Sequence, residues 1–187
     1  MATLTIGGKT VVTQTGTDEP ILGPNVILTN TLASATFPAG HVIQKKIITV
    51  VADVGGTSYS SFTGFSDFDI SLSRTSNTHA IYEVIGSAIS TEAAGRIVNI
   101  AAKRSDGATY SGVNEVALFN DTNGGNAEYF SNAGNMRAPL VLKAVDTANI
   151  TGTYTYRFFA KNTGAAYFAL NGGGDIFVCI TEFIPTV

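Results

Sequence analysis

The chain has 187 residues, enough for one ordinary domain with a proper core plus a short arm. Charged residues make up only 13% of it, about half the usual share of ~25%. Its surface must therefore be built from Ser, Thr, Asn and Gly, as in many extracellular or particle-bound β proteins, and its charge of −3 with no basic run longer than a pair excludes the electrostatic footprint of a nucleic-acid or membrane-surface binder.

The opening has its own texture. A short alternating run at 3–6 is followed by Gly7-Gly8, a second run at 9–14, and a loop with Asp18, Glu19, Pro20 and Pro24. A Gly-Gly pair between two β-prone runs is a two-residue hairpin signal. An isolated hairpin is marginal in water, so residues 1–36 are read as an extended or hairpin N-terminal arm that folds against a partner surface. Leu4, Ile6, Val11, Val12, Ile21 and Leu22 are its candidate anchoring residues, because a purely disordered tail does not need so many apolar side chains. Met1 is followed by neither a basic nor an apolar segment, so no secretory signal is expected, and no apolar run reaches the length of a bilayer. The expectation is a soluble protein that leaves its cell, if it does, as part of something larger.

Residues 35–40, ATFPAG, form a linker with a Pro/Gly stop, and the main domain is set at 37–187. A long strand is predicted at 41–54, ended by Gly55-Gly56. Short β runs follow at 57–62, 67–73, 80–90, 96–104, 115–119 and 139–145, separated by turn clusters at 75–78, 105–108, 121–126 and 146–149. The one helical-looking stretch, 91–95, is too short for more than a turn. This rhythm predicts an all-β chain folded as an antiparallel jelly-roll-like sandwich. No fixed-period repeat, heptad run or collagen-like run supplies a shaft.

The last part of the chain is read as three strands, 154–161, 165–170 and 175–183, broken at Asn162-Thr163-Gly164 and at 171–174. Its runs are apolar on both faces. Tyr154, Tyr156 and Phe158 alternate with Thr155, Arg157 and Phe159, while Ile176, Val178 and Ile180 alternate with Phe177 and Cys179. A sheet in a lone sandwich shows one dry and one wet face. With no helix to cover the second face, another copy of the chain is the expected cover, and a homotrimer is predicted. Tyr154, Tyr156, Phe158, Ile176, Val178 and Ile180 are assigned to its core or its interface.

The chemical candidates are thin. Cys179 is the sole cysteine, so no disulfide closes within the chain, and in so apolar a strand it reads as a buried, inert thiol. His41 and His79 lack metal-ligand spacing. Asp67 and Asp69 share one side of a strand, and 121–126 faintly resembles the start of a calcium loop without its later ligands. Gly172-Gly173-Gly174-Asp175 is not followed by the Lys of a phosphate loop. Glu83, Glu92, Glu115, Glu128 and Glu182 offer carboxylates for glycan cleavage, but a chain with no Trp lacks the usual sugar platforms. The expectation is a non-enzymatic protein with no cofactor, no metal site, no nucleic-acid partner and no membrane.

The stretch Phe37-Pro38-Ala39-Gly40-His41-Val42-Ile43-Gln44, the segment TSYSSFTGFSDFDISLSRTSNTHAIYEVIG at 57–86 and the closing pattern YRFFAKN…FVCITEF resemble a small domain common in tailed-phage virion proteins, especially of aquatic phages. The resemblance covers residues 37–184, and MATLTIGGKTVVTQTG is similar to the arm that precedes that domain. It implies a TNF/C1q-like jelly-roll trimer, located in the virion and assembled in the host cytoplasm. Two roles are then expected. One is a capsid decoration, or cement, protein whose arm docks on the major capsid protein; the alternative is a tail fibre or fibre tip, joined to tail components and recognising a host surface glycan. The lack of a shaft favours the first.

Overall fold

A computed structural model describes residues 2–6, 9–14, 21–22, 39–51, 55–91, 93–112, 115–118, 125–131, 136–167 and 175–185. The chain divides into two units, Met1–Phe37 and Pro38–Val187. In the first, β1 (Ala2–Ile6) and β2 (Lys9–Gln14) pair antiparallel with Ile6 opposite Lys9, and β3 (Ile21–Leu22) adds to β2. Leu4, Val12 and Leu22 fall in one cross-strand row, Ile21 lies opposite Thr13, and the register shifts after Leu4, at Val11 on the facing strand. Gly7-Gly8, the loop carrying Asp18, Glu19, Pro20 and Pro24, and the linker up to Pro38 lie outside the described residues.

The second unit is all antiparallel strand: β4 (Val42–Val50), β5 (Gly55–Arg74), β6 (His79–Thr91), β7 (Arg96–Arg104), β8 (Val116–Ala117), β9 (Ala127–Ser131), β10 (Met136–Asp146), β11 (Gly152–Tyr167) and β12 (Ile176–Phe183). One set of neighbours runs β4-β12-β6-β10 and a second runs β5-β11-β7, with β8 and β9 both pairing to β7. The sets meet through a short ladder, Ala166 opposite Thr91 and Tyr167 opposite Ser90. Elsewhere they face each other as two layers.

Alternate residues of each strand build the core between the layers. In β6, Ala80, Tyr82 and Val84 are buried; in β10, Leu140, Leu142 and Ala144; in β12, Ile176, Val178 and Ile180. From the opposite layer come Phe68, Ile70 and Leu72 of β5, Ile100 and Ala102 of β7, and Tyr156, Phe158 and Ala160 of β11. Tyr82 stacks on Tyr156 at 6.1 Å between ring centroids and donates its hydroxyl to the Phe68 carbonyl at 3.0 Å, while Phe68 stacks on Phe158 at 4.8 Å. Full burial of each such side chain stabilises by about 1.5–3 kcal/mol. Tyr156, Phe158, Ile176, Val178 and Ile180 have no exposed surface and Tyr154 is half-buried against the same cluster, so within one chain these six belong to the sandwich core.

Beyond shifts at strand ends, the strand layout differs from the sequence expectation in three places. The runs at 57–62 and 67–73 are one strand, β5, and Gly55 begins it rather than ending β4. Gly64, inside β5, marks a close approach and not a turn: a Cβ there would lie 2.8 Å from the Arg157 Cδ and the Phe159 ring. Second, β11 runs through Asn162-Thr163-Gly164 without a break. The Asn162 side chain lies in the ladder, its Oδ1 accepting from the Tyr59 amide at 2.8 Å and its Nδ2 donating to the carbonyls of Thr57, at 2.8 Å, and Gly164. Turn-type residues here fill a bulge. The third difference is β9, absent from the sequence reading, and of the run read at 115–119 the described residues hold only the two-residue β8. The predicted break at 171–174 and the run up to residue 170 end outside the described residues.

Asn162→Ala leaves the Tyr59 amide and two carbonyls without their partner. A loss of about 2–4 kcal/mol is expected, read as a lower urea midpoint at fixed protein concentration; an unchanged midpoint would mean the bulge does not need this side chain.

Candidate interaction surface

The two outer faces of the sandwich are built differently. On the β4-β12-β6-β10 layer, residues opposite one another project to the same side, so the register defines rows. Thr49, Phe177, Ile85 and Val141 form one row; Ile47, Cys179, Glu83 and Lys143 the next; Lys45, Thr181, Ile81 and Val145 the third. Val42, Phe183 and His79 close the end. Phe177 is 49% exposed, Ile85 51%, Val141 51% and Ile47 54%. Six of the nine large apolar side chains that are exposed among the described residues lie on these four strands: Val42, Ile47, Ile85, Val141, Val145 and Phe177. Within the rows, the polar interruptions are the ion pair between Glu83 and Lys143, 3.7 Å apart, and Thr49, Lys45 and Thr181 on the β4 and β12 side.

The other layer carries its own roof, contributed by residues 105–112 and 115–118. Tyr110 lies under the Arg157 guanidinium at 4.0 Å and beside Phe159 at 5.9 Å, and the Lys103 ammonium sits 4.5 Å from the Phe159 ring. Carboxylates close the stack: Asp69 takes two hydrogen bonds from Arg157, at 2.7 and 2.6 Å, and Glu115 pairs with Lys103 at 2.5 Å. Burial and the neighbouring Glu115 carboxylate push the Tyr110 phenol well up from its usual range. An outer face with Phe159 only 4% exposed is already covered, whereas the described residues of the second unit put no such cover over the rows of the first layer.

At one end of the core lies a cluster of buried charge. Arg74 Nη1 donates to Asp146 Oδ2 at 3.0 Å and to the Tyr156 hydroxyl at 3.1 Å, Tyr156 donates to the same Asp146 oxygen at 2.9 Å, and Arg104 Nε lies 2.8 Å from it. Arg74 Nη2 also donates to the carbonyls of Thr78 and Ala148. Glu182, fully buried, accepts from the Thr75 amide at 2.7 Å, from the Thr75 and Thr78 hydroxyls at 3.0 and 2.5 Å, and from Gln44 at 2.5 Å. Burial alone would raise its pKa, and the hydrogen bonds from Thr78, Gln44 and Thr75 outweigh it, so the carboxyl is held below its ordinary value. These contacts tie the β5–β6 turn, the end of β10 and the end of β12 together, a structural and not a chemical arrangement.

The remaining sequence candidates are scattered. His79 packs edge-on against Phe183 at 5.8 Å, and His41 stands at the head of β4, its carbonyl bonded to the Ile184 amide. Asp69 is committed to Arg157, while Asp67 is exposed. Cys179 is 8% exposed, its sulfur 3.7 Å from the Thr181 hydroxyl. Among the described residues no three His, Cys, Asp or Glu side chains gather as metal ligands. Glu92, most of the 121–126 loop and Gly172-Gly173-Gly174 lie outside them. The sequence reading found the two-sided character of β12 but missed the matching rows on β6 and β10, although Leu140, Leu142 and Ala144 alternating with Val141 and Val145 carried the same signal. It also missed the charge cluster, whose members each stand two residues past a core position: Leu72 then Arg74, Ala102 then Arg104, Ala144 then Asp146, Ile180 then Glu182.

Because the folded pKa of Glu182 is depressed, its contribution to stability is fully present above the unfolded value of about 4.3 and is lost as pH falls through the folded one. Glu182→Gln should lower stability at pH 7 by about 3 kcal/mol and flatten the decline of the urea midpoint below pH ~4.3; an unaltered acid limb would remove Glu182 from that role. No family model and no curated protein matches this chain.

Proposed function

We propose that the chain is a non-enzymatic structural protein of a phage virion, a trimeric capsid decoration protein anchored through residues 1–36. The observation that carries the reading is the uncovered apolar face of the β4-β12-β6-β10 layer, with its rows led by Phe177, Ile85 and Val141. A contiguous apolar face rimmed by polar residues marks an association surface. Strand order supports the architecture: β4, β5, β6 and β7 fall alternately in the two layers, as do β10, β11 and β12, which is the winding of a jelly roll. It is also the architecture implied by the resemblance of residues 37–184 to tailed-phage virion domains. A cyclic trimer closes the contact on itself and leaves no open end to grow into fibres.

The anchor belongs to the first unit. Its three short strands bring Leu4, Val12 and Leu22 into one row of a sheet too small to be stable alone. Three copies on one trimer make a multivalent anchor, so weak docking of each still holds the body to its particle. The partner is another virion protein, the major capsid protein in this reading. Counting copies on intact particles separates it from a tail fibre or fibre tip: many over the shell against a few at the tail.

Two outcomes are expected. Phe177→Arg, which places a charge in the seam without touching the core, should raise the trimer dissociation constant by roughly tenfold or more in sedimentation equilibrium; a wild-type chain that sediments as a folded monomer at micromolar concentration would overturn the assembly. Deleting residues 1–30 should leave a trimer of near-normal melting temperature that no longer attaches to particles lacking the native protein. Loss of the trimer, or unchanged attachment, would refute the anchor.

A further inference from the structure

The outer face of the β5-β11-β7 layer is roofed at one end and open at the other, and the open end holds a cleft of about 370 Å³. Its origin is the mismatch of two strands. Between Ala160 opposite Thr63 and Asn162 opposite Tyr59, β11 contributes one residue and β5 three; between Asn162 and Ala166, opposite Thr57, the imbalance reverses. Opposed bulges part the strands, and the Asn162 side chain spans the gap by bonding to Thr57 and Tyr59. Above that bridge, Ser58 and Ser60 line one wall, Lys161 and Thr163 stand on β11, and Ile97 and Asn99 of β7 form the far wall. The volume lies at the low end of the roughly 300–1,000 Å³ typical of small-molecule sites.

Asn99 is the informative residue. It is 3% exposed, its Nδ2 donates to the Glu128 carboxylate at 3.1 Å, and its Oδ1 has no hydrogen-bond partner among the described residues. Since Glu128 only accepts, the amide must turn its nitrogen to that side and hold its oxygen away from it. A buried acceptor left unmatched is costly, and a ligand that supplies a donor recovers that cost. Directly opposite Asn99 across the ladder is Lys161, whose ammonium lies 5.4 Å from the Phe62 ring and has no carboxylate partner among the described residues.

We propose that this cleft binds a hydroxyl-rich saccharide. A sugar hydroxyl accepts from the Lys161 ammonium and at the same time donates to Asn99 Oδ1, and a carboxylate or a phosphodiester, with no proton to give at neutral pH, cannot do the second. The Ser58, Ser60 and Thr163 hydroxyls fit further ring hydroxyls, and the Ile97 side chain offers an apolar surface to a ring face. A lining of hydroxyls, amides and one ammonium suits neither a lipid nor an aromatic ligand. The site lies on the layer opposite the apolar rows, so it stays open in the assembly proposed above and does not depend on it.

The test uses the full-length protein on an array of neutral and acidic oligosaccharides, followed by calorimetric titration with whichever sugars bind. Wild type is expected to bind a subset that includes neutral sugars, and both Ser60→Trp, which fills the cleft from an exposed position, and Lys161→Gln should weaken binding at least tenfold with melting temperatures unchanged. Binding to no arrayed sugar, binding that survives both substitutions, or full displacement of the sugar by millimolar inorganic phosphate would overturn it. Sedimentation of the same samples keeps the two readings apart: a monomer that binds sugar refutes the trimer alone, and a trimer that binds none refutes the saccharide site alone.

Discussion

The register of β11 is the constraint on which most of the molecule rests. That strand pairs with β5 along one side and β7 along the other, touches β6 at its end, and supplies Tyr156 and Phe158 to the centre of the core. A one-residue slip would exchange those rings for Thr155, Arg157 and Phe159. The register survives two opposed bulges against β5 because the Asn162 side chain substitutes for the ladder bonds lost there. One amide thus lets a 16-residue strand stay continuous where its own sequence invites a turn, and the same distortion opens the cleft beside Lys161.

A second consequence follows from the way each outer face is finished. The β5-β11-β7 face spends its cations on its own aromatic rings: Arg157 on Tyr110, Lys103 on Phe159, each with a carboxylate behind it. Such stacked pairs are worth about 0.5–1 kcal/mol apiece at exposed sites and more when desolvated, so this roof is a stable finish. No comparable cover exists on the β4-β12-β6-β10 face among the described residues, where Phe177, Ile85 and Val141 stand about half exposed in one row. The asymmetry is an argument for which face meets a partner and which meets solvent.

Strand existence was legible in the sequence because period-two alternation is local: the reading of 96–104 coincides with β7, and 80–90 falls one residue short of β6 at each end. Strand continuity was not. Gly64 and Asn162-Thr163-Gly164 have turn composition, and whether such residues turn the chain or fill a bulge is decided by neighbours far away in sequence, Arg157 and Phe159 for Gly64, Thr57 and Tyr59 for Asn162. The surface was half legible. Two-sided β12 pointed to an uncovered face, but which members of the strand face outward required the register: Ile176, Val178 and Ile180 turn inward, and Phe177 and Cys179 carry the outer rows. Asn99 gave no signal at all, since an orphaned acceptor is a property of its surroundings and not of its residue type.

In the assembly proposed above, a chain with so few charges and so broad an exposed apolar face needs a device that steers association toward closure. The edge strands supply one. β4 pairs only with β12 among the described residues, and its middle carries Lys45 and Lys46, both exposed, with the Lys46 ammonium turned across to the Ser71 carbonyl of the other layer. At the opposite edge, β10 carries Lys143 in the row of Ile47, Cys179 and Glu83, paired with Glu83 at 3.7 Å. Lysine in the middle of an edge strand discourages the addition of another strand, the route to open-ended aggregation. The proposed assembly then uses the face between those edges, where Phe177, Ile85, Val141 and Ile47 stand around the Glu83–Lys143 ion pair, and contact through a face, unlike contact through an edge, can close into a ring.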